Sequence, residues 1–163
     1  MDEIKQKDPA SLVYMDESGI NDNETSDYAW GPKGQRVFDM KNAERSKRLS
    51  IISALINGKL TAPFVFEGMC DRPVFEVYIE KVLVPNLRPG QTVIMDNASF
   101  HKGGRIAQLI KAAGCYLLYL PSYSPDFNPI EHHWSGLKYR IKKQLPHCDH
   151  DLYKASENVF AKS

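Results

Sequence analysis

Cysteine is scarce in this sequence, and long apolar runs are missing. The three cysteines, Cys70, Cys115 and Cys148, lack the paired spacing of a zinc site or a disulfide framework, which suits a reducing compartment. No stretch approaches the roughly 18 apolar residues that a membrane helix needs. These features argue against a small disulfide-stabilised domain and predict a soluble protein without a membrane partner.

Charge of one sign is also lacking, because the formal net charge is only +1. Its distribution is uneven, with an acidic stretch over residues 1–30 followed by a basic tract over residues 33–48. Basic clusters can bind phosphates, since neutralising a phosphate releases condensed counterions, but they can also form a solvated surface. The sequence leaves both interpretations open. The candidate DNA ligands in this tract are Lys33, Arg36, Arg45, Lys47 and Arg48.

The order of predicted elements indicates the fold class. At 163 residues without internal repeats, the chain is predicted to form one domain over residues 1–163. Alternating and apolar runs predict five strands, at SLVYMDES, RLSIISALING, KLTAPFVFEG, QTVIMD and CYLLYL, the second and third joined at Asn57-Gly58. The last of them, CYLLYL, is predicted to be buried. Helical spacing predicts helices at RPVFEVYIEKVLVPNL, at GRIAQLIKAAG and after PSYSPDFNP. The last of these helices is predicted to bury an apolar stripe in the core: Ile130, Trp134, Leu137 and Ile141. The pattern predicts an α/β domain with a mixed five-stranded sheet flanked by helices.

Three carboxylates stand at the ends of these predicted elements. Asp16 is predicted to close the first strand and Asp96 the fourth, while Glu131 opens the helix after the proline-rich loop. If the first and fourth strands are neighbours, the three acids come together at one sheet edge. Clustered carboxylates repel one another unless a cation lies among them, and Mg²⁺ prefers such oxygen ligands. Each acid alone also fits an ordinary capping role, and strand periodicity does not choose between Asp16 and Glu17.

Other polar residues near these acids are candidates for supporting roles. Asn97 and Asn128 could orient the acids, although both are also good turn residues. His101 could contact DNA or a metal-bound water, or it could simply pack. On the last long helix, residues three or four apart share a face, so Lys138 and Lys142 lie on the side of the third acid and are candidate phosphate contacts.

Three blocks carry the acids: MDES at 15–18, MDNASFHK at 95–102 and LPSYSPDFNPIEHHWSGLK at 120–138. Together they resemble the catalytic blocks of a DDE transposase from the bacterial insertion-sequence branch of the mariner superfamily. The 34 residues from Asn97 to Ile130 match the spacing of that branch, and YAWGPKGQR at 28–36 resembles its tract after the first aspartate. The resemblance implies a ribonuclease H-like fold. It also implies that Asp16, Asp96 and Glu131 are catalytic and bind two Mg²⁺ or Mn²⁺ ions.

The resemblance further implies the reaction and its partners. These are phosphodiester hydrolysis at transposon ends and attack of the freed 3′ hydroxyl on target DNA, typically at a TA step, by a homodimer on DNA in the bacterial cytoplasm and nucleoid. Full-length relatives carry an N-terminal helix-turn-helix region, whereas fifteen residues precede Asp16 here. We therefore expect an isolated catalytic domain in which residues 1–10 are a linker remnant. Two alternatives stay open: a ribonuclease H-like nuclease without strand transfer, and a decayed transposase that only binds.

Two expectations about behaviour follow from this interpretation. The segment Gly19–Lys47 is long for a simple connection, and we expect it to project from the core and supply salt-sensitive DNA affinity. We also expect Asp96→Asn to abolish metal-dependent DNA cleavage. Because this change removes a charge from a crowded acidic cluster, the metal-free fold should stay as stable or become slightly more stable.

Overall fold

The computed structural model describes residues 2–21 and 47–162. A short helix precedes three successive strands, helices and strands then alternate, and two helices follow the last strand. The strands are β1 (Leu12–Asn21), β2 (Arg48–Ile56), β3 (Lys59–Glu67), β4 (Thr92–Met95) and β5 (Tyr116–Tyr119). The helices are α1 (Asp2–Lys5), α2 (Arg72–Tyr78), α3 (Ile106–Ala112), α4 (Glu131–Gln144) and α5 (Leu152–Ala161). No helix within the described ranges is long and apolar enough to cross a membrane.

The five strands form one mixed sheet in the order β3-β2-β1-β4-β5. β1 pairs antiparallel with β2, and β2 with β3, whereas β4 pairs parallel with both β1 and β5. The predicted mixed five-stranded sheet is therefore confirmed, as is the turn at Asn57 and Gly58, where both residues adopt positive φ. β1 and β4 are neighbours, with Tyr14 opposite Ile94. Continuing that register by two residues brings Asp16 level with Asp96.

Alternation along β1 sends successive side chains to two separate cores. Val13 and Met15 are fully buried in a core on the face covered by α2 and α3. Tyr14 packs on the opposite face, where α4 and α5 cover the sheet. The apolar stripe predicted for α4 lies in this second core: Ile130, Trp134, Leu137 and Ile141. Asp16 and Glu17 consequently emerge on opposite faces of the sheet.

Four features differ from the sequence-based prediction. β1 continues to Asn21, which pairs with Arg48, so Asp16 lies in the middle of a strand instead of closing it. β5 is an edge strand with Tyr116 64% exposed, not a buried strand. The helix begun by α2 passes into a π-helical turn and then a 3₁₀ turn containing Pro85, because proline lacks the N–H that a continuing α-helix requires. Helix α5 has no counterpart in the prediction.

The long connection between β1 and β2 lies mostly outside the described residues. Gly19 and Asn21 belong to β1, and Lys47 directly precedes β2. Residues 22–46, which include the YAWGPKGQR tract and the candidate DNA ligands Lys33, Arg36 and Arg45, fall outside the described ranges. The expectation that this segment projects from the core stays a prediction, as does the division of the chain into one domain with a linker remnant.

Candidate active site

Asp16 is a buried carboxylate on the α4 face of the sheet. Only 6% of the residue is exposed, and its Oδ2 accepts a hydrogen bond of 3.0 Å from Nε1 of Trp134. Trp134 was expected to be a core residue, and it is 4% exposed. It also ties α4 to the centre of β1 through this polar contact. Strand pairing thus decides what periodicity left open, since Asp16 and not Glu17 faces the helix that begins at Glu131.

The carboxyl groups of Asp16 and Glu131 hydrogen bond to each other. Two ionised carboxylates cannot make such a bond, because one of them must carry the proton. Burial is the largest cause that raises the pKa of Asp16, to about 8, and the hydrogen bond and charge of Glu131 and the charge of Glu17 act in the same direction. The hydrogen bond from Trp134 opposes this change. Without a nearby cation, the protonated form of Asp16 is therefore favoured.

Asp96 occupies a different environment, immediately after β4. Its Oδ1 accepts a hydrogen bond of 3.1 Å from the Ala98 N–H and lies 2.5 Å from Nδ1 of His101. The hydrogen bond to His101 lowers the pKa of Asp96, against the smaller effect of burial. Half of the Asp96 side chain remains exposed. Asp96 is thus ionised and paired with His101.

His101 is fully buried and lies between two carboxylates from different strands. Its Nε2 is 3.1 Å from Oε2 of Glu17, and its Nδ1 contacts Asp96. Burial alone would lower the pKa of His101, but the two carboxylates outweigh burial and raise it to about 9. The ring is therefore protonated at neutral pH and donates hydrogen bonds from both nitrogens. Glu17, which sequence reasoning treated only as the rival of Asp16, is part of the same group.

An open cavity of about 330 Å³ lies beside these acids. Asp96, Glu131 and the proline-rich loop after β5 line it, and Asn97 and Asn128 contribute to its wall. Asn97 donates 3.1 Å to Oγ of Ser122, while its Oδ1 is buried without a hydrogen-bond partner. Such an unpaired acceptor is uncommon in a folded protein. The cavity is therefore lined by two carboxylate side chains and two amide side chains.

Asn128 is almost fully buried and anchors the proline-rich loop. Its Nδ2 donates 3.3 Å to the carbonyl of Met15, and its Oδ1 accepts 3.3 Å from the Ile130 N–H. These contacts hold the start of α4 against the middle of β1. Asn128 is therefore a turn residue that fastens the start of α4 to β1, and its role in orienting the acids stays a prediction.

These residues fit a hard divalent cation chemically, although they do not form a ready-made metal cluster. Within residues 2–21 and 47–162, no group of three or more His, Cys, Asp and Glu side chains could hold a metal ion as they stand. The acids are divided, with Asp16 bonded to Glu131 and Asp96 paired with His101. The available ligands are nevertheless all oxygens, as Mg²⁺ and Mn²⁺ prefer. The pKa of Asp16 is raised by burial and by the neighbouring carboxylates, so a nearby positive charge would favour its ionised form.

The basic candidates lie at two places in the described part of the chain. Lys47 and Arg48 are exposed at the start of β2, where the Arg48 guanidinium packs against Gly19. Lys138 and Lys142 are half-buried on α4, two and three turns after Glu131. Their placement along the helix agrees with the predicted shared face, and their role in DNA binding stays a prediction.

Sequence comparisons place the chain among known proteins. A family model described as DDE superfamily endonuclease matches residues 11–152. The chain is 38% identical over 79 residues to the transposable element Tcb1 transposase of Caenorhabditis briggsae, covering 46% of this chain and 29% of that protein. It is 26% identical over 147 residues to the Tcb2 transposase of the same nematode, covering 84% and 54%. The chain therefore spans about half or less of the length of these relatives.

Comparison with solved structures supports the same fold. The mariner Mos1 paired-end complex with Mg matches with a TM-score of 0.65 at 15% identity, covering 97% of this chain and 55% of that one. The catalytic core domain of BIV integrase matches with a TM-score of 0.55 at 15% identity, covering 92% and 80%. The sheet and its helices are those of the ribonuclease H-like catalytic cores, as the resemblance implied.

Proposed function

The chain belongs to the DDE superfamily endonucleases, and we propose that it is the catalytic domain of a DNA transposase. In this proposal it hydrolyses phosphodiester bonds at transposon ends and joins the freed 3′ hydroxyl to target DNA, at TA-containing sites. Asp16, Asp96 and Glu131 are the catalytic residues and together hold two Mg²⁺ or Mn²⁺ ions. Solved Mos1 complexes contain Mg or Mn, which supports this choice of cofactor.

The observation that carries the proposal is the meeting of three carboxylates where α4 begins: the buried Asp16 is tied to α4 through Trp134, and Asp96 and Glu131 line the same cavity. Burying a carboxyl group that must stay protonated near neutral pH costs folding free energy. An apolar pair of similar size would avoid that cost. The arrangement is understandable if these carboxyl groups bind a cation, whose charge would replace the proton on Asp16.

Each residue then has a definite task. Asp16 and Glu131 would hold a cation through their carboxylate oxygens, while the Trp134 N–H holds Oδ2 of Asp16 in place. Oδ1 of Asp96 stays hydrogen bonded to the Ala98 N–H and His101, and Oδ2 of Asp96 would bind the cation. Divalent ions bound among these groups would supply Lewis-acid stabilisation of the charge that develops on the transferred phosphoryl group. No nucleophilic side chain is required, because the attacking group is a water or a DNA hydroxyl.

DNA is the proposed partner, and basic residues are its proposed contacts. Lys138 and Lys142 extend from the acids along α4, and the second group borders the β1–β2 connection: Lys33, Arg36, Arg45, Lys47 and Arg48. These residues would contact phosphates, which position a protein on DNA without reading its sequence. Similar solved structures include a Mos1 paired-end complex and a strand transfer complex, which supports DNA as the partner. A homodimer on DNA belongs to the same proposal.

The branch and location of the protein belong to the same proposal. The 34 residues between Asp96 and Glu131 support the bacterial insertion-sequence branch. The protein would then act in the bacterial cytoplasm, associated with the nucleoid when bound to DNA. Inverted repeats flanking the coding sequence would test this assignment and would also supply the end sequence for experiments.

The decisive experiment measures cleavage and strand transfer separately. The full chain is incubated with duplexes carrying the flanking inverted repeat, in Mg²⁺, Mn²⁺ or EDTA, and then with a precleaved end and a supercoiled target plasmid. We expect metal-dependent products in both assays, their loss in Glu131→Gln and their retention in the control Glu76→Gln. Glu76 is a suitable control because it pairs with Arg105, away from the cavity.

The two alternatives give different results in these assays. Cleavage without joining of the precleaved end would favour a nuclease that lacks strand transfer. Metal-independent DNA binding with neither product would favour a decayed transposase that only binds. Equal activity of Glu131→Gln and the parent would remove Glu131 from the mechanism.

A further inference from the structure

His101 connects a catalytic candidate to a residue on the other face of the sheet. Its Nδ1 lies 2.5 Å from Oδ1 of Asp96, and its Nε2 lies 3.1 Å from Oε2 of Glu17. Glu17 follows Asp16 on β1, and its side chain leaves the sheet on the face opposite to Asp16. The imidazole thus bridges β1 and the segment after β4 beneath the site.

The histidine ring is held on every side. The rings of Phe75 and Phe100 lie 4.4 Å from it, centroid to centroid, the first tilted and the second edge-on. The backbone carbonyl of His101 accepts 2.7 Å from the Tyr119 hydroxyl. With the side chain fully buried, the imidazole has little freedom to rotate. Its direction is therefore defined by packing and by its hydrogen bond with Glu17.

This arrangement assigns the two oxygens of Asp96 to different tasks. Oδ1 is held by the Ala98 N–H and by His101. Among the described residues, no hydrogen bond reaches Oδ2, and the side chain is half-exposed beside the cavity. One oxygen is thus anchored and the other is available to a ligand. Groups that hold a metal-binding carboxylate in this way commonly alter metal affinity when they are removed.

We propose that Glu17 is a positioning residue, which acts through His101 to direct the free oxygen of Asp96 toward the metal site. The inference rests on the proposed function, because it assigns a task toward the metal that Asp96 would bind. Glu17 need touch neither the metal nor the DNA. It fixes the imidazole, and the imidazole fixes the carboxylate.

A purely structural role explains the same contacts less well. The ring lies between two phenylalanines, where an apolar side chain would pack without any need for hydrogen-bond partners. The nearby ion pair of Glu76 and Arg105 shows the ordinary surface alternative, with the arginine 54% exposed and a separation of 3.8 Å. Stability alone would not require a buried imidazole with two carboxylate partners at this position, because an apolar side chain could pack there.

The test compares Mn²⁺ binding by four metal-free proteins, measured from the electron paramagnetic resonance signal of free Mn²⁺. They are the parent, Glu17→Ala, Glu17→Gln and the control Glu76→Ala. The Glu76 side chain is 18% exposed, against 21% for Glu17. Both Glu17 variants remove the charge, but glutamine keeps an oxygen that can accept from Nε2 of His101. The difference between them therefore reports the hydrogen bond and not the charge.

We expect Glu17→Ala to weaken Mn²⁺ binding by roughly tenfold, and Glu17→Gln to stay within about threefold of the parent. In the cleavage assay, Glu17→Ala should lower kcat while leaving KM for DNA unchanged, since Glu17 does not contact the substrate. Glu76→Ala should match the parent in both measurements. Melting temperatures are recorded for all four proteins.

Each contrary result has a definite meaning. Equal Mn²⁺ affinity of Glu17→Ala and the parent would overturn the inference while leaving the proposed function intact. Equal weakening by alanine and glutamine would overturn it in favour of a charge effect or direct metal ligation. Unfolding of Glu17→Ala at 25 °C would show a structural role instead. Failure of the parent to bind Mn²⁺ would overturn the proposed function and this inference together.

Discussion

Replacing Asp16 with asparagine should make the metal-free protein more stable while abolishing DNA cleavage. The carboxyl of Asp16 is buried, hydrogen bonded to Glu131, and has a pKa raised from 3.8 to about 8. Asparagine is nearly isosteric. Its Oδ1 can still accept the Trp134 N–H, and its NH₂ can donate to Glu131 without a proton that must be held against the solvent.

The magnitude follows from proton linkage. Between pH 4 and pH 8 the folded protein keeps a proton on Asp16 that the unfolded chain releases, so the free energy of unfolding falls as the pH rises. One pKa unit corresponds to about 1.4 kcal/mol, which places the full effect on the order of 5 kcal/mol by pH 8. Relaxation of the site will reduce this value, and we expect a gain of at least about 1 kcal/mol for Asp16→Asn at pH 8.

Urea unfolding in EDTA at several pH values between 4.5 and 8 measures this effect directly. The parent should lose stability across the range through Asp16, whereas Asp16→Asn should lack that contribution. The two proteins should therefore be similar near pH 4.5 and diverge as the pH rises. Glu76→Gln serves as the control, because its carboxylate lies outside the acidic pair.

Two results would refute this reasoning. If parent and variant show the same pH dependence, the carboxyl of Asp16 is not held protonated in the folded state. If Asp16→Asn is less stable than the parent at pH 8, the carboxylate has a structural task. Cleavage activity retained by Asp16→Asn would separately remove Asp16 from the catalytic group.

Three further predictions use other parts of the site. Asp96→Asn should abolish cleavage. Contrary to the sequence-based expectation, it should also lower the free energy of unfolding in urea by about 1 to 3 kcal/mol, because His101 loses a charged partner. A variant as stable as the parent, or more stable, would contradict the pairing of Asp96 with His101. Saturating Mg²⁺ or Mn²⁺ at pH 7.5 should raise the melting temperature. At a metal concentration one hundred times Kd, binding adds about 2.7 kcal/mol to the free energy of unfolding. An unchanged melting temperature would argue against metal binding. DNA binding is titrated at several salt concentrations for the double alanine variant of Lys138 and Lys142 and for a control with alanine at Arg140 and Lys143. The first variant should bind every duplex more weakly and show a flatter salt dependence than the control. Identical salt slopes would exclude Lys138 and Lys142 as phosphate contacts.

Local pattern was enough to predict much of the fold. The hairpin at Asn57 and Gly58, the apolar stripe of α4 and the position of Glu131 at the start of that helix depend on residues close in sequence, and the structure reproduces them. Spacing among the three motif blocks pointed to the family that the comparisons support. These features are encoded in turn propensity and side-chain periodicity, which operate over a few residues.

Long-range pairing determined what local pattern could not. The predicted first strand stopped too early because its polar end resembled a terminus, whereas pairing with β2 extends β1 to Asn21. Whether a strand lies at the edge or in the centre likewise depends on the whole sheet. The apolar sequence of β5 therefore could not reveal that its first residue, Tyr116, is exposed. Helix α5 is also fixed by packing, since Leu152 and Val159 are buried in the core beneath it.

Residue types and their spacing were enough to single out the groups that we propose for the reaction: two aspartates, one glutamate and the lysines that follow the glutamate at helical spacing. Tertiary structure alone decided how those groups are paired. Asp16 meets Trp134 across 118 positions of the chain, and Glu17 meets His101 across 84. Those contacts exist because a strand sends neighbouring side chains to opposite faces, and each face is covered by a different, distant part of the chain.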